Sequence, residues 1–267
     1  MSCWQRLDEE LDAWSACGRQ AMLWWRDDDA CRDSAALARL LDIAQAAGVS
    51  VALAAIPAML EPSLIAAVAR ASVATVVQHG YAHFNHAPPG ARSWELGAHR
   101  PVALTLAELA VGFGDLQRSF GDRFVPVLVP PWNRIDAAVI AELSAAGFRG
   151  LSTFGPRATP SPTPGLLQCN THVDIIAWRR DRAFIGIAAA IDRTVEHLRS
   201  RREGNGNVDP QEPTGLLTHH LDLGDAAWQF LADFLPRTRA HGALWLDVAA
   251  VFAMHVAAGS VTSSRSA

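Results

Sequence analysis

The chain has little sulfur, no lysine and a single tyrosine, and these shortages exclude several classes of protein. Its four cysteines, Cys3, Cys17, Cys31 and Cys169, form no C-x-x-C pair, which argues against a disulfide framework and a thiolate zinc site. The 23 basic residues are all arginines, stand against 27 acidic residues and are scattered along the chain. With a net charge of −4, the chain has no basic footprint for nucleic acid or an anionic membrane.

Long apolar runs are also missing, since no uninterrupted apolar stretch approaches the ~18 residues of a membrane span. The first residues, MSCWQRLDEELDAW, are acidic and amphipathic, whereas a secretory signal is basic and then apolar. We therefore expect a cytoplasmic protein with free thiols. Because 50% of the 267 residues are hydrophobic, the chain can bury one large core. We predict a single domain over residues 1–255 and a flexible C-terminal tail over 256–267.

Short apolar, β-branched or aromatic runs alternate with Ala- and Leu-rich segments of helical periodicity. Strands are predicted at residues 21–25, 49–57, 73–78, 124–130, 150–154, 173–178, 215–219 and 243–246. Helices are predicted at residues 34–48, 63–71, 105–120, 136–147, 188–202 and 225–242. Repeated strand-helix units predict an α/β fold with a mostly parallel sheet, and about eight strands suit a closed barrel. Two Gly- and Pro-rich loops, 155–165 and 202–215, are predicted to be surface connections, with a lid as the alternative.

Polar clusters follow four of the predicted strands. They are RDDDA (26–30), QHGYAHFNHA (78–87), PPWNR (130–134) and THHLD (218–222). Because the C-terminal ends of parallel barrel strands meet at one rim, we expect acidic, imidazole and aromatic groups to converge there. If they were surface groups instead, four clusters at matching strand ends would be a coincidence.

His79 and His83 lie four residues apart, a spacing that points both imidazoles the same way on a helical turn and lets them reach one metal ion. A lone H-x-x-x-H is common by chance, and a single histidine of this kind is more often an ordinary hydrogen-bonded side chain. A carboxylate from the aspartate cluster would complete a catalytic metal set that leaves one position open for water. Gly80 excludes the thermolysin-type H-E-x-x-H motif, which needs glutamate there.

In this order, RDDDA, HGYAH, PPWN and LLTH resemble the motif pattern of the polysaccharide deacetylase family of carbohydrate esterases. That family has an Asp-Asp pair, an H-x-x-x-H pair, a Pro-aromatic loop and a late L-x-H at corresponding places. The resemblance spans residues 21–250. It implies a distorted, TIM-like (β/α) barrel of seven or eight mostly parallel strands. It also implies a metal-dependent hydrolase that removes an acyl group, N-acetyl above all, from a sugar-like or other small N-acylated substrate. The alternative is a non-catalytic carbohydrate- or metal-binding domain on the same barrel.

The resemblance also implies roles for the acidic and metal-binding residues. Asp29, His79 and His83 would bind one divalent metal ion, zinc in the first place and otherwise cobalt, nickel or iron. Asp28 would be the general base. Of the three aspartates, Asp28 and Asp29 are assigned as the pair because the helical segment RLLDIA (39–44) then follows them at the distance found in the family.

The later motifs would supply the acid and the substrate contacts. His219, at the L-x-H position, would protonate the departing amine, and the adjacent His220 is its rival for this role. Neighbouring side chains of an extended segment point to opposite faces, so only one of them can face the site. Developing oxyanion charge would be met by the metal and a backbone N–H near Trp132. The implied substrate contacts are Tyr81, Pro131, Trp132 and Asn133. The residues that either support His219 or have structural roles are His172, Asp174 and Trp178.

One position departs from the family pattern. Val129 stands where the family has an arginine before the prolines, an arginine that tunes the base. Arg26 or Arg134 is expected to take over its role. Together with the metal, Arg26 would also offset the repulsion among the three aspartates. Asp27, which has no role in this scheme, would be a solvated or Arg-paired neighbour.

Overall fold

Strands and helices alternate along residues 1–253, the part of the chain that the computed structural model describes. The strands are β1 (Met22–Ala30), β2 (Val51–Ala55), β3 (Ala74–His79), β4 (Phe124–Val129), β5 (Gly150–Leu151), β6 (Leu167–Gln168), β7 (Val173–Asp174), β8 (Thr214–Thr218) and β9 (Leu244–Leu246). The helices are α1 (Cys3–Ala16), α2 (Ala35–Ala47), α3 (Pro62–Arg70), α4 (Val102–Phe120), α5 (Ala137–Glu142), α6 (Ile187–Glu203), α7 (Asp225–Ala240) and α8 (Val248–Ala253). The tail predicted over residues 256–267 lies outside the described residues. Across residues 1–253 no helix has the length and apolar character needed to cross a bilayer.

The strands form one curled sheet in the order β6-β5-β4-β3-β2-β1-β8-β7, and β9 pairs with the first residues of β1. Every ladder between neighbouring strands is parallel. In the described part of the chain no ladder joins β6 to β7, so strand pairing does not close the barrel. The prediction of an α/β fold with a distorted, mostly parallel barrel is confirmed.

Strand β1 is longer than its apolar run predicts, because it continues through the aspartates to Ala30. It is an interior strand of the sheet, and Asp27 pairs with Leu53 of β2 on one side and with Thr218 of β8 on the other. Ladder hydrogen bonds on both sides outweigh the low strand propensity of aspartate. Strand β6 and helices α1 and α8 were not predicted. Helix α1 begins with a capping box, in which the side chain and backbone of Ser2 exchange hydrogen bonds with those of Gln5.

Alternation along β1 separates two faces of the sheet. Leu23 and Trp25 face outward into the large apolar cluster shared with the surrounding helices. Trp24 faces inward and packs in a smaller cluster with Val129 of β4 and Phe252 of α8. The lower part of the barrel is therefore filled by apolar side chains, and the polar groups that follow the strands lie at its upper rim.

Candidate functional site

The three aspartates at the end of β1 face in two directions. Asp28 points into the barrel and Asp27 to the outer face, as strand alternation requires. Asp29 has a φ of 69°, and this left-handed backbone breaks the alternation, so its carboxylate faces the same cavity as that of Asp28. The β1–β2 pairing shifts register at this point, between Asp27 and Ala30. Such backbone costs about 1–3 kcal/mol in a non-glycine residue and is concentrated at functional sites.

Asp29 meets the two histidines of the H-x-x-x-H motif. Its Oδ1 lies 3.1 Å from Nε2 of His79 and 3.4 Å from Nε2 of His83. His79 places Nδ1 3.0 Å from the carbonyl oxygen of Val129. When Nδ1 donates this hydrogen bond, Nε2 of the neutral ring carries a lone pair that faces the carboxylate. Two acceptors at this distance repel each other unless a proton or a metal cation lies between them, and this N, N, O donor set fits a divalent metal ion.

The pKa values of Asp29, His79 and His83 also indicate that the Asp29 carboxylate needs a positive charge beside it. Burial acts to raise the pKa of Asp29, but the hydrogen bond with His79 and the charges of nearby histidines hold it well below its usual range. Burial acts to lower the pKa of His79, yet its hydrogen bond with Asp29 and the neighbouring carboxylates raise it. Burial and the charge of His79 lower the pKa of His83. A divalent metal would meet this need in place of the proton on His79, because an ionised carboxylate and a neutral imidazole are the forms that bind metals.

His83 reaches this cluster through a loop and not through a helical turn, so the helical interpretation of its spacing was wrong. Residues 80–83 are non-helical, and φ is 54° at Gly80 and 55° at His83. The buried carboxylate of Glu95 accepts the backbone N–H groups of residues 81 and 82 at 3.2 and 2.7 Å. A Cβ at Gly80 would lie 2.0 Å from Oε2 of Glu95, so the loop requires glycine there. Glu95 was missed because its only signal in the sequence is one acidic residue in a loop.

Arg26 and Asp28 form a buried, two-pronged ion pair. Nε of Arg26 donates to Oδ1 of Asp28 at 2.8 Å, and Nη2 donates to Oδ2 at 3.0 Å. The guanidinium also donates to Oδ1 of Asn133 at 2.7 Å and to Oγ of Ser152 at 2.7 Å. Both partners of the ion pair are almost completely buried, with exposures of 0% and 2%. Arg26 therefore fixes the orientation of the carboxylate.

This ion pair accounts for the departure at Val129. Val129 lies in the apolar inner cluster of the barrel, and Arg26 lies on the inner face of β1 by strand alternation. Arg134, the other candidate, donates instead to the backbone oxygen of Ser93 at 2.7 Å. The arginine next to Asp28 thus comes from β1 and not from the loop that follows β4.

His219 faces the cavity opposite Asp28. Its Nε2 lies 3.9 Å from Oδ2 of Asp28, and its ring packs edge-on against Trp178 with centroids 4.5 Å apart. Nδ1 of His219 is buried, and it has no hydrogen-bond partner within residues 1–253. Asp174 lines the same cavity and accepts Nε1–H of Trp178 at 2.7 Å. Burial raises the pKa of Asp174.

His220 points to the outer face, away from the cavity. Its Nδ1 lies 2.5 Å from Oδ1 of Asp27, and Thr218 donates its hydroxyl to Oδ2 of Asp27 at 2.6 Å. Burial acts to lower the pKa of His220, but the charge of Asp27 and the hydrogen bond to it raise it. Asp27 is completely buried, so the expectation of a solvated or Arg-paired side chain was wrong. The two adjacent histidines thus pair with different aspartates on opposite faces of β1.

A cavity of about 620 Å³ opens over these groups. Its lining residues are Asp28, Asp29, His79, His83, Trp132, Asn133, Arg134, Phe154, Asp174, Trp178, Arg179, Arg182 and His219. Residues from all four predicted polar clusters therefore meet in one place. Trp132 and Asn133, both with a φ of 55°, stand at the rim, and the Trp132 ring lies 4.5 Å from that of His83. Tyr81 and Pro131 do not line the cavity, and Pro131 is buried beneath the rim.

His172 lies in a separate buried polar cluster. Its ring stacks on that of His197 at 3.7 Å, and its Nε2 is 3.3 Å from Oε2 of Glu212. Glu212 is completely buried and accepts the backbone N–H groups of Arg157 and Asn170. Loop 202–215 thus sends Glu212 into the interior and does not line the cavity.

No family profile and no curated protein matches the chain, but solved structures do. A Mycobacterium smegmatis protein assigned as a polysaccharide deacetylase is 17% identical, with a TM-score of 0.68 over 94% of both chains. The Bc1960 peptidoglycan N-acetylglucosamine deacetylase is 15% identical, with a TM-score of 0.56 over 88% of this chain and 89% of that one. The chain has the polysaccharide deacetylase fold.

The polysaccharide deacetylase fold is also that of BA3943 from Bacillus anthracis, described as a CE4 family pseudoenzyme. BA3943 is 12% identical, with a TM-score of 0.53 over 87% of this chain and 66% of that one. A BA3943 mutant with restored enzymatic activity is 13% identical, with a TM-score of 0.57. At such identities the similarity establishes the fold alone, and the activity must be argued from the site.

Proposed function

We propose that the protein is a metal-dependent hydrolase that removes an acyl group, N-acetyl above all, from a sugar-like or other small N-acylated substrate. One observation carries the proposal. The donor cluster of Asp29, His79 and His83 shares a single cavity with Asp28 and His219. Hydrolysis of an amide needs a Lewis acid that polarises the carbonyl, a base and an acid within reach of one bond; the donor cluster would hold the first, and Asp28 and His219 would supply the other two. The shared fold with solved deacetylases is consistent with this reaction.

The proposed mechanism assigns one step to each side chain. A divalent metal held by Asp29, His79 and His83 would supply a Lewis acid that polarises the acyl carbonyl and lowers the pKa of water. Asp28, held by Arg26, removes a proton from the attacking water. His219 then gives a proton to the departing nitrogen, which is a poor leaving group without it.

Two features of the surroundings suit His219 to this role. The edge of Trp178 restricts its ring, so Nε2 stays directed toward the side of the cavity that holds Asp28. Asp174 contributes a carboxylate to the same cavity, where its charge interacts favourably with an imidazolium. His220 has no such access, because its Nδ1 is engaged with Asp27 on the outer face.

A non-catalytic binding domain is the second candidate, because a described pseudoenzyme shares the fold. In this chain, however, Asp28 and His219 are both present, and Arg26 provides the guanidinium that Val129 cannot. The residues of the cavity therefore favour the enzyme.

The experiment combines metal analysis of purified protein with acetate release from a panel of N-acetylated sugars. We expect about one divalent ion per chain. Asp28→Asn should keep the metal and lower hydrolysis roughly 100-fold or more, because an amide cannot deprotonate water. Asp233→Asn, at an exposed position of α7, is the matched control and should change neither. An Asp28→Asn variant with full activity would contradict the mechanism, and an inactive wild-type protein that binds glycans tightly would favour the binding domain.

A further inference from the structure

Three arginines line the cavity without any role in the proposed chemistry. They are Arg134, Arg179 and Arg182. The three carboxylates of the cavity have other partners, because Asp28 pairs with Arg26, Asp29 faces the two histidines and Asp174 accepts a hydrogen bond from Trp178. The cavity therefore combines a donor cluster for a cation with a wall of positive charge.

Two of these arginines have no carboxylate partner in the part of the chain that the structure describes. Arg182 forms an ion pair with Asp222 at 3.2 Å and lies over the Trp178 ring at 5.1 Å. Among the ion pairs of residues 1–253, by contrast, none involves Arg134 or Arg179. The hydrogen bond of Arg134 to the backbone of Ser93 leaves the rest of its guanidinium without a charged partner.

The unpaired arginines also repel one another. Partial burial and the charges of Arg92 and Arg179 lower the pKa of Arg134. Since an arginine remains protonated at any physiological pH, the repulsion is not relieved by loss of a proton. An anion bound between the guanidinium groups would relieve it. The planar guanidinium fork matches the oxygens of a carboxylate or a phosphate, and such charge-assisted hydrogen bonds are among the strongest in proteins.

The size and apolar surface of the cavity leave room for such a group beside a sugar. The volume of about 620 Å³ lies within the range of small-molecule sites. Phe154 and Trp178 line the cavity, and 43% and 38% of their surfaces are exposed, so they offer apolar faces to a ring. An adjoining groove of about 570 Å³ shares both aromatic residues and Arg179 with the cavity.

We propose that the substrate of this site carries an anionic group, a carboxylate or a phosphate, which Arg134 and Arg179 bind while the acyl group lies at the Asp29 cluster. The proposal rests on the proposed function, since it names the class of substrate for the same site. It excludes a purely neutral glycan as the preferred ligand. Arg134 and Arg179 then determine specificity and take no part in the bond cleavage.

The test measures binding, separately from turnover, by isothermal titration of metal-loaded protein. The probes are N-acetylglucosamine as the neutral ligand, N-acetylglucosamine 6-phosphate for the phosphate and N-acetylmuramic acid for the carboxylate. The wild-type protein should bind at least one anionic probe about tenfold or more tightly than the neutral one, the size expected for one charge-assisted hydrogen bond. Whichever anionic probe binds more tightly identifies the source of the charge.

Matched variants assign the effect to the cavity. Arg134→Gln and Arg179→Gln should each reduce the preference for the anionic probe about tenfold and leave binding of N-acetylglucosamine unchanged. Arg118→Gln removes the same charge from an exposed position in the last turn of α4 and should leave the preference intact. If Arg134→Gln does not fold, Arg179→Gln carries the test alone, because its side chain is exposed.

The outcomes separate this inference from the proposed function. A wild-type protein with no preference for either anionic probe overturns the inference, as does a preference that survives in both cavity variants. Acetate release from the neutral probe without any anion preference would then leave the proposed hydrolysis standing. The opposite result is a protein that releases no acetate and still prefers an anionic probe through Arg134 and Arg179. That result would support anion binding by these two arginines and count against the proposed hydrolysis.

Discussion

Replacement of Arg26 by methionine tests the buried ion pair beside the proposed base. Methionine keeps much of the apolar length of the side chain and removes a guanidinium that donates to Asp28, Asn133 and Ser152. Asp28, with an exposure of 2%, would then be a buried carboxylate that has lost its guanidinium partner, and the nearest imidazole, that of His219, is 3.9 Å away. Breaking a buried pair in this way costs about 3–5 kcal/mol, a large part of the 5–15 kcal/mol that stabilises a typical domain.

The assay is urea unfolding of four proteins that form a double-mutant cycle. They are the wild type, Arg26→Met, Asp28→Asn and the double variant. Because the double variant contains neither charge, it should be more stable than the sum of the single effects predicts, with a coupling of about 1–3 kcal/mol. Arg118→Met is the control, and at its exposed position the free energy of unfolding should change by less than about 0.5 kcal/mol.

Two results would refute this reasoning. The first is a loss of less than about 1 kcal/mol in Arg26→Met, which would mean that Asp28 finds another partner or water. The second is strict additivity in the double variant, since independent side chains show no coupling. An unchanged urea dependence in all four proteins is needed to compare their free energies directly.

The remaining predictions concern histidines. His79→Ala should empty the metal site, whereas His86→Ala, outside the cavity, should not; metal analysis checks this, and a full metal content in His79→Ala would refute the ligand assignment. His219→Ala should lower turnover of an amide substrate roughly 100-fold or more and turnover of an activated ester much less. His220→Ala should have small effects on both substrates. Steady-state kinetics check this, and the reverse pattern would make His220 the acid. Burial lowers the pKa of His197 from 6.5 to about 2, so the imidazole takes up a proton in the unfolded chain before it does so in the folded protein. The free energy of unfolding therefore decreases as the pH falls below 6.5. In urea unfolding, the free energy of unfolding of the wild type should decrease between pH 6 and pH 5 by about 1 kcal/mol more than that of His197→Asn. Equal decreases in the two proteins would contradict a neutral, buried imidazole.

Local patterns in the chain were sufficient to predict the fold class and most elements. Short apolar, β-branched or aromatic runs and apolar stripes with a helical period depend on neighbours a few residues away, so they can be recognised without a structure. The predicted strands at 73–78 and 124–130 agree with β3 and β4 to within one residue. The polar clusters that follow the strands also meet in one cavity, because parallel strands bring their C-terminal ends to one rim.

The partners of the buried charges could be known only from the folded chain. Asp28 and Asp27 are adjacent, yet one pairs with Arg26 inside the barrel and the other with His220, 193 residues away, on the outer face. Which face each carboxylate occupies follows from the register of β1 and from the positive φ of Asp29. A buried charge must be paired, but the sequence offers several candidate partners for each aspartate. Only long-range packing brings one of these candidates within hydrogen-bond distance. The contact between His220 and Asp27 turns His220 away from the cavity and leaves His219 as the proposed acid.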